Sequence, residues 1–549
     1  MSAPSTSPLV RRSAIVASGT LLAKISGFAR LAVVAYVIGF TRLTDTYNLA
    51  NETPNIVYEL LLGGILTATF VPVFVSFFDR DDEESIHAIV TTALVALTAI
   101  SVIGVLAAPW IVELYTSRLT GADRMAQREL ATTLLRYFMP QMFFFGIAAV
   151  AGAILNARRR FAAPAFTPIL NNIVVIATFM TFGLLAGPGR GLLDVAGNAT
   201  QTAVLGLGTT LGVAAMALAL LPAVAKTGYR FRWRFRLGDP AVRRVVRLSG
   251  WTIGYVAANQ VALWFVLVLA NGHPGSVSAY LGAYVFFILP HGLFATSIMT
   301  ALAPDLAAAW NERNAAQART FATKGLRLIL AIIVPAAAVE IALGRPIIVA
   351  LLQRGQFTGA QAALTGDVLT LFGIGLVAFS LYLFSLRVCY ASQDTRTPFL
   401  LNCAQNGVNI LLAWWWYDAY GVRGLALAFS ISYIVAAVVA LTVVGRRLHG
   451  LEWSALGSVA MRVVPVAMLA GGAAWMIARA IGWDSPSRAW LACIAGIAGA
   501  GAVVAAGYVI LRVDEAQNVL RVLGKRRPVA PTFEPDSDTP EPGLPGVER

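Results

Sequence analysis

The chain has 549 residues, 58% of them hydrophobic and only 13% charged, and its net charge is +14. A soluble globular protein carries about twice that charged fraction, which excludes a single soluble domain, and the apolar content excludes a disordered chain. Apolar runs of roughly 20 residues or more, rather than short alternating segments, exclude a transmembrane β-barrel and leave an all-α polytopic membrane protein.

The apolar runs predict about fourteen transmembrane helices, in chain order 13–40, 45–78, 88–116, 130–156, 163–187, 202–225, 245–270, 277–306, 322–352, 361–391, 397–417, 422–445, 459–482 and 489–512. The first is not a cleaved signal peptide: Lys24 and Arg30 stand in its middle and no small-residue cleavage site follows. The second opens with TDTYNLANETPNIVYELLLGG, which holds Asp45, Glu52, Asn55 and Glu59, with Pro54 able to kink or unwind it. In the ninth, Glu340 and Arg345 are placed to pair with each other. The eleventh carries Asn402, Asn406 and Asn409 on one stripe, suited to coordinating a cation or, more commonly, to joining helices. The tail from about 528 is Pro-rich and acidic and reads as disordered.

Arg11, Arg12, Arg158–Arg160, the run from Lys226 to Arg247, and Lys525–Arg527 all fall in loops on one side. The positive-inside rule places both termini there, in the cytoplasm, which agrees with an even number of spans. The same rule explains the basic net charge without nucleic acid as a partner. The three cysteines (Cys389, Cys403, Cys493) and four histidines (His87, His273, His291, His449) form no metal-ligand spacing, and no phosphate-binding glycine loop is present. No cofactor, metal or catalytic set is therefore expected, and no soluble segment is long enough to be an enzyme.

LNARRRFAAPAFTPILNN (Leu155–Asn172) and CYASQDTRTPFLLNCAQN (Cys389–Asn406) echo each other at an offset of 234 residues, and Ile65–Pro72 echoes Ile298–Pro304 at nearly the same offset. A repeat of six helices preserves orientation, so two six-helix bundles should form parallel repeats with a cleft between them. The expected organisation is 1–240 as the N-terminal bundle (helices 1–6), 241–450 as the C-terminal bundle (helices 7–12), 451–512 as helices 13–14, and 513–549 as a cytoplasmic tail.

Charges inside spans are costly and point to function. Lys24 and Arg30 suit an anionic headgroup, with Arg offering a planar fork to phosphate. Glu52 and Glu59, seven apart on one face, are placed to neutralise them when no substrate is bound. Lys24, Arg30, Asp45, Glu52, Asn55 and Glu59 form the candidate substrate-binding set, and Asn402, Asn406 and Asn409 a candidate cation or packing stripe.

The stretches KISGFARLAVVAYVIGFTRLTDTY, PNIVYELLLGGILTATFVPVF, GAILNARRRFAAPAFTPILNN, LLQRGQFTGAQAALTGDVL and CYASQDTRTPFLLN resemble the MurJ/MviN family of lipid II flippases in the MOP exporter superfamily. The resemblance implies outward flipping of an undecaprenyl-diphosphate-linked muropeptide in the bacterial cytoplasmic membrane for cell-wall synthesis. It implies a cationic central cavity, a lipid-tail groove at helices 13–14, and other wall-synthesis proteins as further partners. Lys24 matches a position usually Arg in the family, Arg30 matches an Arg, and Asp45 matches an Asp. Tyr58 and Glu59 stand where the family usually has Arg-Arg, and Val285 stands near a further family arginine. Asn402 and Asn406 lack the acid that accompanies such residues at a sodium site. The alternatives are a related MOP exporter of another polyprenyl-linked glycan or of small molecules, and a non-transporting scaffold of wall synthesis.

Overall fold

The computed structural model describes residues 8–60, 71–78, 80, 82–235, 250–513 and 515, which are helical with no strand among them. The first half contains α1 (Pro8–Ile38), α2 (Arg42–Tyr58), α3 (Val71–Phe78), α4 (Glu83–Tyr115), α5 (Gly121–Phe138), α6 (Gln141–Ala157), α7 (Ala162–Ala186), the short α8 (Leu192–Ala196) and α9 (Ala199–Ala225). The second half contains α10 (Gly250–Ala270), α11 (Ser276–Pro290), α12 (Thr296–Asn311), α13 (Ala315–Leu352), α14 (Gly359–Ala391), α15 (Arg396–Tyr420) and α16 (Val422–Arg447). Two further helices follow, α17 (Trp453–Ile481) and α18 (Pro486–Ile510).

Among the described residues, 12 helical stretches are long and apolar enough to cross a membrane, with α5–α6 and α11–α12 each acting as one. The predicted second span corresponds to α2 and α3, with 61–70 outside the described residues. The predicted eleventh is α15, 25 residues long, which carries the asparagine stripe. The echo at Ile65–Pro72 falls mostly outside the described residues. So do Arg236, Arg243, Arg244 and Arg247, and the tail from 528.

The helices break where the chemistry demands it. Pro290 has no N–H to donate to the ladder, and directly after it the chain forms a π turn, His291–Ala295, before α12 resumes. The two halves repeat one packing scheme. In the first, α7 packs against α1 and α9; in the second, α15 packs against α10 and α16. The duplicated asparagines perform the same task in each: Asn172 Nδ2 donates to Ala23 O and Ser26 Oγ of α1, and Asn406 Nδ2 donates to Asn259 Oδ1 of α10. The N-terminal core is built on Tyr47, whose ring lies edge-on to Phe138 and Phe179. The C-terminal core is a cluster of Phe287, Phe372, Phe379 and Phe429. α17 and α18 dock on α13 through small residues: Ala470, Ala474, Ala492 and Ala500 close around Leu343, as expected where helices must approach closely in lipid.

The two bundles are fastened together at the end where α1 gives way to α2. The Asp45 carboxylate, fully buried in the first turn of α2, accepts from Gly275 N at 2.6 Å, Ser278 N at 2.9 Å and Ser278 Oγ at 2.7 Å. It thus caps the N-terminus of α11 from the opposite bundle, where unpaired N–H groups and the helix dipole favour an anion. Asn48 Nδ2 adds a bond to Ser278 Oγ, Arg42 donates to Asn271 O, and Gln356 N donates to Tyr36 O. The rings of Phe40 and Phe357 meet edge-on, 4.8 Å apart. Gly275 is required at the junction: its φ is +80°, and a Cβ there would lie 2.3 Å from Phe40 O.

Each hydrogen bond to a charged group contributes about 1.5–3 kcal/mol, so Asp45→Ala should weaken this closure by about 3 kcal/mol or more. A cysteine introduced at Leu281 should then react at least about tenfold faster with a membrane-impermeant maleimide added from the side of the closure, with Asp45→Asn intermediate. An unchanged labelling rate would show that Asp45 does not hold the end shut.

Candidate functional site

Below the fastened end, a cavity of about 570 Å³ lies between the bundles. Arg30 on α1 and Glu52 on α2 line it from the first bundle, with Asn48 and Asn51. From the second come Asn259 and Gln260 of α10, Gln405, Asn406 and Asn409 of α15, and the rings of Tyr255, Tyr284 and Tyr433. Among the described lining residues the charges are one cation and one anion, Arg30 and Glu52, which interact electrostatically. Every other polar group on the wall is an amide or a hydroxyl. Val285 lines the same wall, so span 8 contributes no cation there.

The predicted residues separate into distinct places. Arg30 and Glu52 share the cavity, and Asn55 hydrogen-bonds the Glu52 side chain from one turn further along. Asp45 lies in the closure between the bundles, fully buried, and not on the cavity wall. Glu59 is exposed, just past the end of α2, and does not line the cavity. Lys24 is also exposed; its Nζ lies against Gly292 in the π turn, close enough that a Cβ there would be 3.3 Å away. The six-residue separation from Arg30 directs the two cations to different surroundings.

The asparagine stripe is divided as well. Asn402 Nδ2 donates to Tyr255 O at 2.8 Å and lies behind the cavity wall. Asn406 bridges to α10 and also lines the cavity, as does Asn409. Asn409 Oδ1 and Gln405 Oε1 accept no hydrogen bond among the described residues. Gln405 was absent from the predicted stripe, although three residues past Asn402 places it at about −60° on the same face. The tyrosines were missed because a Tyr within an apolar span reads as core. Glu340 and Arg345 do not pair. Arg345 reaches Asp367 on α14, which Arg423 also binds, because successive helices bring Asp367 nearer than any residue on the same helix face.

Away from the closure, Asp394, in the turn before α15, ties the repeat motif to α16. Burial alone would raise its carboxyl, but hydrogen bonds from Thr397 and Arg447 outweigh that and hold it at about 2.

Several comparisons bear on this architecture. The family model described as "Lipid II flippase MurJ" matches residues 34–491. A probable lipid II flippase MurJ of Rhizobium meliloti (strain 1021) is 27% identical over 481 residues, covering 84% of this chain and 85% of the relative. One of Vibrio cholerae serotype O1 is 27% identical over 495 residues, covering 87% and 91%. Among solved structures, "Lipid II flippase MurJ, inward closed conformation" superposes with a TM-score of 0.72 at 20% identity, covering 90% of this chain and 99% of that one. An inward-facing multidrug resistance MATE family transporter of the MOP superfamily superposes at 0.62 and 16% identity, covering 79% and 95%. At those identities the structures speak to the fold alone. The family model spans most of the chain, from the end of α1 to the start of α18, and the chain belongs to the MurJ family of lipid II flippases.

Proposed function

We propose that this chain carries a polyprenyl-diphosphate-linked muropeptide, lipid II, from the inner to the outer leaflet of the bacterial cytoplasmic membrane by alternating access. The observation that carries this reading is a cavity shut at one end, with one guanidinium, Arg30, among the described residues of its wall. Arg30 offers a bidentate fork to one phosphate, and binding releases it from Glu52. The unpaired amide oxygens of Gln405 and Asn409 suit sugar hydroxyls and peptide N–H groups. The apolar groove between α13 and α18 suits the lipid tail. With both termini cytoplasmic, the closed end faces outward and the cavity is poised to load from inside.

The charge on the cavity wall also bears on the driving force. A diphosphate bears about two negative charges, and outward movement gains about 4.6 kcal/mol per 100 mV when the inside is negative. Arg30 and Glu52 sum to zero, so the empty carrier returns with little charge from the wall.

Two outcomes follow. Collapse of the membrane potential at constant ATP should stop flipping of lipid II in cells; unchanged flipping would refute an electrophoretic mechanism. In a depletion strain, Arg30→Ala should abolish growth at normal membrane level, Arg30→Lys should lower transport about tenfold for loss of the bidentate contact, and Lys24→Arg should be tolerated. Full growth with Arg30→Ala would remove Arg30 from the binding site.

A further inference from the structure

A second cavity, of about 600 Å³, shares α11 with the headgroup site: Tyr284 and Val285 line the first, Phe286 and Leu289 the second. Phe294, Leu328, Ile332, Ile497 and Val504 give it an almost wholly apolar wall, between the π turn, α13 and α18. One side chain breaks that wall without explanation. Glu340 lines the groove, is 5% exposed, and neither of its carboxyl oxygens has a hydrogen-bond partner among the described residues. It stands twelve residues before Leu352, hence about 18 Å along the helix from the end of α13, inside a predicted span.

The groups around it are committed elsewhere. Glu515, at the mouth of the groove, pairs with Arg327 of α13. The Tyr508 hydroxyl of α18 donates to Ala331 O. His291 of the π turn bonds Ser380 through Nδ1. Arg345 and Asp367, from α13 and α14, hold each other. On α17, Arg462 donates to the Arg512 carbonyl and Arg479 lies over the Trp475 ring. Lys24 of α1 lies against Gly292. Among the described residues no cation reaches Glu340, so an ionised carboxylate would stand in the groove with neither counter-ion nor donor from them. Intramembrane carboxyls of that kind are costly to charge and mark proton or substrate pathways.

We propose that Glu340 is a proton-binding site that decides whether the groove accepts a polyprenyl tail. Protonated, the side chain leaves the groove apolar from end to end, and a hydrocarbon tail fits along it. Ionised, it draws water into the groove and expels the tail. The proton is taken from water and returned to water as the groove opens and closes, so tail release is coupled to proton release at one residue. The proposal rests on the lipid-linked substrate reading for its tail, but the proton site itself does not.

The test uses the full-length chain in nanodiscs, as wild type, E340Q and E340D. Infrared spectroscopy without added lipid should show a buried carboxylic acid C=O band in the wild type that E340Q lacks. Undecaprenyl diphosphate in mixed micelles serves as the binding probe. Wild-type affinity should fall about tenfold more than E340Q affinity between about pH 6 and pH 9, and E340D should keep the wild-type dependence. Comparing variants cancels titration of the probe's own phosphates. Equal pH profiles for wild type and E340Q, or no difference in the acid band, would overturn the proposal. Failure of the wild type to bind the probe at any pH would instead overturn the lipid-linked reading and the tail role with it, and the infrared band would still report the proton site.

Discussion

The arrangement turns on one buried carboxylate. Asp45 sits on the first bundle and caps the first turn of α11 on the second. In water such a cap would be modest. Inside the protein its loss would leave the Gly275 and Ser278 N–H groups unsatisfied, so the cap and the closure stand or fall together. Much else follows from this contact. Gly275 must be glycine, because the helix start is pressed against the Phe40 carbonyl. The cavity is closed at that end because α2 and α11 meet there. Any cycle that opens that side must find new partners for Asp45 and for the α11 N-terminus.

Chemistry is divided between the bundles unevenly. The first bundle brings the charged pair, Arg30 and Glu52, and the second brings amides and tyrosines. That division suits a ligand with an anionic centre and a polar, uncharged extension. A neutral wall also matters for energetics, since an unbalanced cation carried outward with the substrate would cancel part of what the diphosphate gains in the potential. The two terminal helices pack on α13 through alanine and glycine, leaving between α13 and α18 a groove whose polarity depends on Glu340.

The internal repeat is structural as well as sequential. Asn172 and Asn406 each stitch the fifth helix of a repeat to the first. In the second copy the stripe lengthens to include Asn402, Gln405 and Asn409, and part of it turns from helix packing to the cavity wall. A duplicated packing device has thus become lining in one half only.

Much of this was present in the one-dimensional pattern. Apolar length alone determined the class and nearly every span, because a bilayer admits few other solutions for the backbone. The 234-residue echo pointed to the packing scheme the two halves share, and the cost of charge inside spans singled out Lys24, Arg30, Asp45, Glu52 and Glu59 as candidates. What each of them does was decided by tertiary structure. Lys24 and Arg30 share a helix but face different neighbours. Asp45 proved to serve a partner 230 residues away, and Arg345 chose Asp367 over Glu340. Such choices depend on which helix lies beside which, to within the few ångströms a hydrogen bond allows, and helical periodicity carries no information about the neighbour across the interface.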